Sequence, residues 1–180
     1  MNHLSKTKTY LVGHMQYKDG SGWRQHVRKQ LGPLGVTCFD PYDKPFVYGV
    51  EEDDFAREEI LRRSESDKPE DIEYVDQKMR EIRSYDLNLV DRADFIIAHI
   101  VPNLASWGSA EELIWACRLK KPTFISVEGG KKKTPLWLRG VFPYDHFYDG
   151  IENVLDYLYY INESGDFDHY RWRLLKEDYR

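Results

Sequence analysis

The sequence predicts an α/β fold built on a mostly parallel five-stranded sheet. Short apolar runs rich in β-branched and aromatic residues alternate with segments of helical period, the order expected when crossover helices join parallel strands. At 180 residues the chain fits a single domain with a substantial core. No internal repeat or low-complexity tract breaks the alternation.

The first strand is "TYLVGHM" (9–15), followed by Trp23, Val27 and Leu31 at four-residue spacing, which marks a covering helix. "VTCFD" (36–40) is the second strand. Between Pro41 and Lys68 charge rises and the pattern weakens. There a charged insertion at about 46–70 reads as a solvated helix plus a loop ending before Pro69, either a lid or a surface addition. Ile72, Val75, Met79 and Ile82 mark a longer helix with an inward stripe, and "DFIIAHIV" (94–101) is the third strand. A helix beginning around Ser109 leads to the fourth strand, "PTFISVE" (122–128). "DHFYD" (145–149) is a weaker fifth strand, and "GIENVLDYLYYI" (150–161) is the closing helix. The aromatic tail at about 163–180 suits packing across a subunit interface better than a free end.

With 26 basic and 31 acidic residues the net charge is −5, and no long basic run is present, which argues against nucleic acid or an anionic membrane as the main partner. A small soluble molecule is the expected ligand. Cys38 and Cys117 lie in apolar runs without metal-ligand spacing and read as buried thiols of a reducing compartment. The N-terminus lacks an apolar signal core, and no stretch approaches the roughly 18 apolar residues of a membrane span, so a cytoplasmic protein is expected.

In an open parallel sheet ligands bind beyond the carboxyl ends of the strands. After the first strand, Gly13 offers close backbone approach, and Gly20, Ser21 and Gly22 form a small turn suited to an anion. This turn matches neither the P-loop nor the dinucleotide glycine pattern. After the second strand, "DPYDKPF" presents Asp40, Asp43 and Lys44, explained equally by turn chemistry and by ligand recognition. Asp86 falls on the inward face with Met79, Ile82, Leu89 and Val90; a carboxyl there either caps a turn or serves a site. Asp91 and Asp94 read as boundary residues.

The fourth place is "NLASWGSAEELIWACRLKKP" (103–122), with Glu111 and Glu112 in the first turn of its helix. Leu113, Ala116 and Cys117 define the buried face; Glu112 lies roughly 95° from its centre and Glu111 roughly 165°. Glu111 is therefore expected in solvent, favoured by the helix dipole, and Glu112 at the border of the buried face above the strand end. An ionised Glu112 suits a nucleophile, and an Asp86 held in its acid form suits a proton donor. Two carboxyl groups set apart in this way are the usual arrangement for glycosidic cleavage.

"TYLVGHM", "YDLNLVDRADFIIAHI", "GSAEELIWACRLKKP" and "PLWLRGVFPYDHFY" resemble, in order and spacing, the nucleoside 2-deoxyribosyltransferase superfamily, especially its phage and bacterial members, over most of residues 9–160. The most specific part is Gly-Ser/Thr-x-x-Glu-Leu-x-x-Ala, spanning Gly108 to Ala116. The resemblance implies a flavodoxin-like three-layer sandwich that exchanges or hydrolyses the N-glycosidic bond of 2′-deoxynucleosides or their 5′-monophosphates without metal or organic cofactor. It implies Glu112 as nucleophile, Asp86 as the group protonating the base, and Tyr10 as the residue positioning the nucleophile. Substrate-binding positions implied with them are Gly13, His14, Met15, Asp43, Lys44, Ser106, Gly108 and Ser109.

Ser106 replaces the aspartate that nucleoside transferases carry two residues before the motif glycine. A hydroxyl can donate to a phosphate that a carboxylate would repel, which resembles the branch acting on deoxynucleoside 5′-monophosphates. His14, Ser21 and Arg24 are either further phosphate groups or surface residues. The resemblance also implies a homo-oligomer whose site a neighbour completes. A non-catalytic nucleotide-sensing module and an interaction protein are the rival readings.

Overall fold

The computed structural model describes residues 2–14, 21–43, 54–104, 106–168 and 170–175; Met15, Gly20 and Lys44 lie outside them. The strands are β1 (Lys8–Gly13), β2 (Thr37–Phe39), β3 (Phe95–Ile100), β4 (Thr123–Val127) and β5 (Phe147–Tyr148). The helices are α1 (Gly22–Leu31), α2 (Asp54–Ser64), α3 (Pro69–Arg92), α4 (Trp107–Arg118) and α5 (Ile151–Ser164). All strand pairs are parallel, in the order β2-β1-β3-β4-β5, which is the flavodoxin-like order.

The central strands read as continuous apolar runs because both faces of a parallel sheet are covered. On one face Leu11, Phe95, Ile97 and Phe124 meet Val27 and Leu31 of α1 and Val154, Leu155 and Leu158 of α5. On the other, Tyr10, Val12, Ile96, Ala98 and Ile125 meet Leu89 and Val90 of α3 and Leu113 and Ala116 of α4. The chain is thus a three-layer sandwich, as the alternation of elements predicts. Lys8 donates its main-chain N–H to Asp94 at 2.7 Å, fixing the start of β1 against the entry to β3, so Asp94 is the boundary residue expected.

Three expectations are corrected. In the described part of the tail Tyr170 stays exposed, but Trp172 is not left for a neighbouring subunit: it is fully buried in the chain's own core, stacked on Phe124 with ring centroids 5.3 Å apart. Its indole N–H points to the Tyr157 hydroxyl at 3.2 Å, and Leu175 is buried beside it. The slot between Phe95, Phe124 and Tyr157 takes an indole, so the apolar gain is realised within one chain.

The inward stripe of α3 covers only its second half. Ile82, Asp86, Leu89 and Val90 are buried, whereas Ile72 and Met79 remain about half exposed. A 24-residue helix runs to about 36 Å, well past the edge of a sheet whose strands reach six residues. The overhanging half packs against α2 instead, through an Arg63–Asp71 ion pair at 3.2 Å and the Arg63 guanidinium over the Tyr74 ring. The part of the charged segment at Asp54–Ser64 is therefore a helix docked on α3; its residues 46–53 lie outside the described residues.

α4 starts earlier than expected. Ser106 is its N-cap, accepting from the Ser109 N–H, and the Ala110 N–H bonds the Ser106 carbonyl. Neither Glu111 nor Glu112 then falls in the first turn, where the dipole acts. Cys38 and Cys117 are free and half-buried, and burial pushes the Cys38 thiol up to about 12, consistent with a packing role. Among the described residues no helix is long and apolar enough to cross a membrane.

Candidate active site

The sheet order reverses between β1 and β3, and the crevice at their carboxyl ends is where a ligand fits in such a sheet. Gly13 and His99 are partners at this edge. A Cβ on Gly13 would stand 2.9 Å from Trp23 Cζ2 and 3.2 Å from Arg24 Nη2, so the glycine lets α1 pack onto the strand end. Gly13 also lies on the wall of the cavity in this crevice, so close helix packing and backbone approach to a ligand are both open to it.

Arg24 is not a surface residue. It is fully buried and donates Nη2 to the Gly13 carbonyl at 2.8 Å and Nε to the Leu11 carbonyl at 3.3 Å, with Asp40 as counter-ion at 3.7 Å. Burial pulls its guanidinium below the ordinary value, opposed chiefly by Asp40. Its work is to staple the end of β1 by holding the Leu11 and Gly13 carbonyls.

One layer below the rim, Tyr10 on β1 points to the α4 side, fully buried, and its hydroxyl donates to Glu112 Oε1 at 2.7 Å. Two features bring them together: strand alternation turns Tyr10 towards α4, and the helical phase of α4 turns Glu112 towards the sheet. Glu112 and Asp86 are each 9 % exposed, nearly buried yet both on the wall of one cavity. That cavity, about 640 Å³, opens between α3, α4 and the ends of β1 and β2. Ser106, Gly108 and Ser109 form its α4 rim, with the Ser106 hydroxyl donating to Ser109 Oγ at 2.9 Å.

Glu111 faces outward as expected, its side chain 40 % exposed, and there it pairs with Arg83 of α3 through both guanidinium arms, with Nε at 2.8 Å from Oε2 and Nη2 on Oε1. Two expectations separate from the cavity: the His14 carbonyl accepts from Arg24, and Asp43 takes Arg28 at 2.7 Å within the turn closed by Asp40. Neither His14 nor Asp43 is on the described cavity wall, and Ser21, at the start of α1, is not either.

Several wall residues escaped sequence reasoning. Arg57 of α2 faces the cavity and donates to the Tyr42 hydroxyl at 3.0 Å, joined by Arg80 and Arg83 of α3. Trp107 stands 88 % exposed at the rim, an aromatic face that solvent leaves open. The signal for Arg80 and Arg83 was their six- and three-residue spacing from Asp86, which keeps them on one flank of the helix. On the opposite face of the sheet, His99 Nδ1 meets Ser126 Oγ at 3.0 Å beside the Trp23 ring, and burial pulls its imidazole below the ordinary value.

Chemically the cavity joins a hydroxyl-oriented carboxylate, a second carboxyl group on the facing helix, hydroxyls at a helix N-terminus, and guanidinium groups on one wall. No protein-family model and no curated protein matches the sequence. Among solved structures, the chain is similar to a 2-deoxyribosyltransferase from the psychrotolerant bacterium Bacillus psychrosaccharolyticus, characterised as a biocatalyst for nucleoside synthesis. The likeness has a TM-score of 0.53 at 20 % identity over 84 % of this chain and 92 % of that one, and what the two share at that level is the fold.

Proposed function

We propose that the chain is a nucleoside 2-deoxyribosyltransferase-like enzyme that cleaves the N-glycosidic bond of 2′-deoxynucleosides or their 5′-monophosphates. The observation that carries this reading is the 2.7 Å bond from Tyr10 to Glu112 at the wall of a cavity of nucleoside size. A carboxylate oriented by a buried hydroxyl can aim one oxygen at an anomeric carbon, and the fold it shares with a 2-deoxyribosyltransferase supports the same chemistry.

In this mechanism a Glu112 oxygen bonds to C1′ while the C1′–N bond breaks and its electron pair leaves with the base. Asp86, as the acid, delivers a proton to that base. Water or a second base then attacks C1′, the Glu112–C1′ bond breaks, and Asp86 recovers a proton from the attacking group. The absent 2′-hydroxyl lets positive charge develop at C1′ more easily, so one well-placed carboxylate carries most of the stabilisation. The hydroxyls of Ser106 and Ser109, with Arg57 and Arg80 across the cavity, favour a substrate that carries a 5′-phosphate.

The test is chromatography of released base from a panel of deoxynucleosides and their 5′-monophosphates, with and without an acceptor base. Glu112→Ala is expected to lower release on the order of a thousandfold or more, because it removes the group that bonds to the reacting carbon. Glu111→Ala removes only the partner of Arg83 and is expected to cost far less. Similar rates in the two variants exclude Glu112 as nucleophile, and nucleotide binding without base release points to a sensing module.

A further inference from the structure

The Arg83–Glu111 pair joins the two helices that bear the two cavity carboxyl groups. Arg83 lies three residues before Asp86 on α3, which places the two side chains one turn apart on one flank. Glu111 immediately precedes Glu112 on α4. Its carboxylate takes both arms of the Arg83 guanidinium, a two-point contact that fixes orientation as well as distance. Lower on the same seam, Asp91 of α3 accepts from the Trp115 indole of α4 at 2.7 Å, and Lys121, just past α4, donates to the Asp91 carbonyl at 2.9 Å. Asp86 and Glu112 therefore sit between an upper tie and a lower one. A seam tied at one end only would let the helices splay at the other, and the upper end is the one that opens to the cavity.

We propose that Arg83 and Glu111 are positioning residues that set the spacing between Asp86 and Glu112 across the α3–α4 seam. The inference rests on the proposed roles of those two carboxyl groups. It explains why a second glutamate stands beside Glu112: it is neither a duplicate acid nor a substituent of the helix terminus. Neither Arg83 nor Glu111 forms or breaks a bond to substrate. Since an ångström of misplacement between reacting groups can cost about 100-fold, loosening the tie acts on turnover more than on binding.

The experiment measures kcat and KM for base release, together with melting temperature, in Arg83→Met, Glu111→Gln and the reversed pair Arg83→Glu with Glu111→Arg. Each single variant is expected to lose about 10-fold or more in kcat with KM within about twofold, and the reversed pair to regain most of that loss. A rise in KM with kcat intact makes Arg83 a substrate ligand and overturns the proposal. A lowered melting temperature with unchanged kcat makes the pair merely structural and overturns it as well. If the wild-type chain releases no base from any substrate, the proposed function fails and this inference falls with it; an active wild type with unaltered variants refutes only the inference.

Discussion

Tyr10→Phe isolates the hydrogen bond on which the proposed nucleophile depends. The ring stays in a fully buried site and only the hydroxyl is lost, so no cavity larger than one oxygen is created. What disappears is a 2.7 Å bond to an oxygen of a carboxylate that is itself nine-tenths buried. A hydrogen bond to a charged group contributes about 1.5–3 kcal/mol. If that energy serves to hold Glu112 in its attacking orientation, kcat should fall about 10- to 150-fold, at 1.4 kcal/mol per factor of ten, with little change in KM. The same loss should appear in the folded state: at about 2 kcal/mol, a chain of this size should melt about 4–8 °C lower. Glu112→Gln serves as the control, since its amide oxygen still accepts from Tyr10; it should keep most of the melting temperature while losing the activity. The assay is steady-state base release from the preferred substrate, paired with thermal melts followed by circular dichroism. A Tyr10→Phe enzyme with kcat within twofold of wild type would show that the hydroxyl does not orient the nucleophile.

Two further predictions concern the rest of the molecule. Trp172→Ala should cost about 3–5 kcal/mol, because it empties a fully buried slot between aromatic rings, and the loss should not depend on protein concentration in thermal melts; a concentration-dependent melting temperature would place the indole in an intermolecular contact instead. His99 and His146 are both pulled below 6.5, chiefly by burial, so each binds its proton more readily in the unfolded chain. Their contribution to stability is whole above pH 6.5 and is lost as the pH falls from there through their lowered folded values; melts at stepped pH should show the decline, and it should shrink in a His99→Gln, His146→Gln double variant that remains folded.

How far the sequence could be read follows from how local each signal was. The strands were legible because β1, β3 and β4 are apolar on both faces, and a run of that kind, too short to be a spanning helix, has few other uses. The unequal setting of Glu111 and Glu112 was legible because helical phase needs only the identity of neighbouring apolar residues. The partners of charged residues were not. Arg24 looks like a surface residue until Asp40, sixteen positions away, and the carbonyls of Leu11 and Gly13 are folded around it. Trp172 likewise reads as interface material because nothing in its own segment reveals a slot between Phe95 and Phe124. The start of α4 was misplaced for a related reason: "ASWGS" has two serines able to cap, and the choice of Ser106 is made by its bond to the Ser109 N–H.

That two-residue correction changes what holds the candidate nucleophile. The field of a helix dipole falls off within the first turn, and with Ser106 as cap Glu112 stands beyond it. Its orientation must then come from contacts rather than from the helix end, and the Tyr10 hydroxyl is such a contact. The two explanations differ in kind. A dipole stabilises charge but leaves a side chain free to rotate, whereas a 2.7 Å bond to a buried ring fixes which oxygen faces the cavity. Adjacent helical residues diverge by about 100°, so the same turn of α4 directs Glu111 outward to Arg83 and Glu112 inward to Tyr10. One acid thereby secures the helix to its neighbour while the other is aimed from the sheet, and neither could take the other's place without rotating α4 off its buried face.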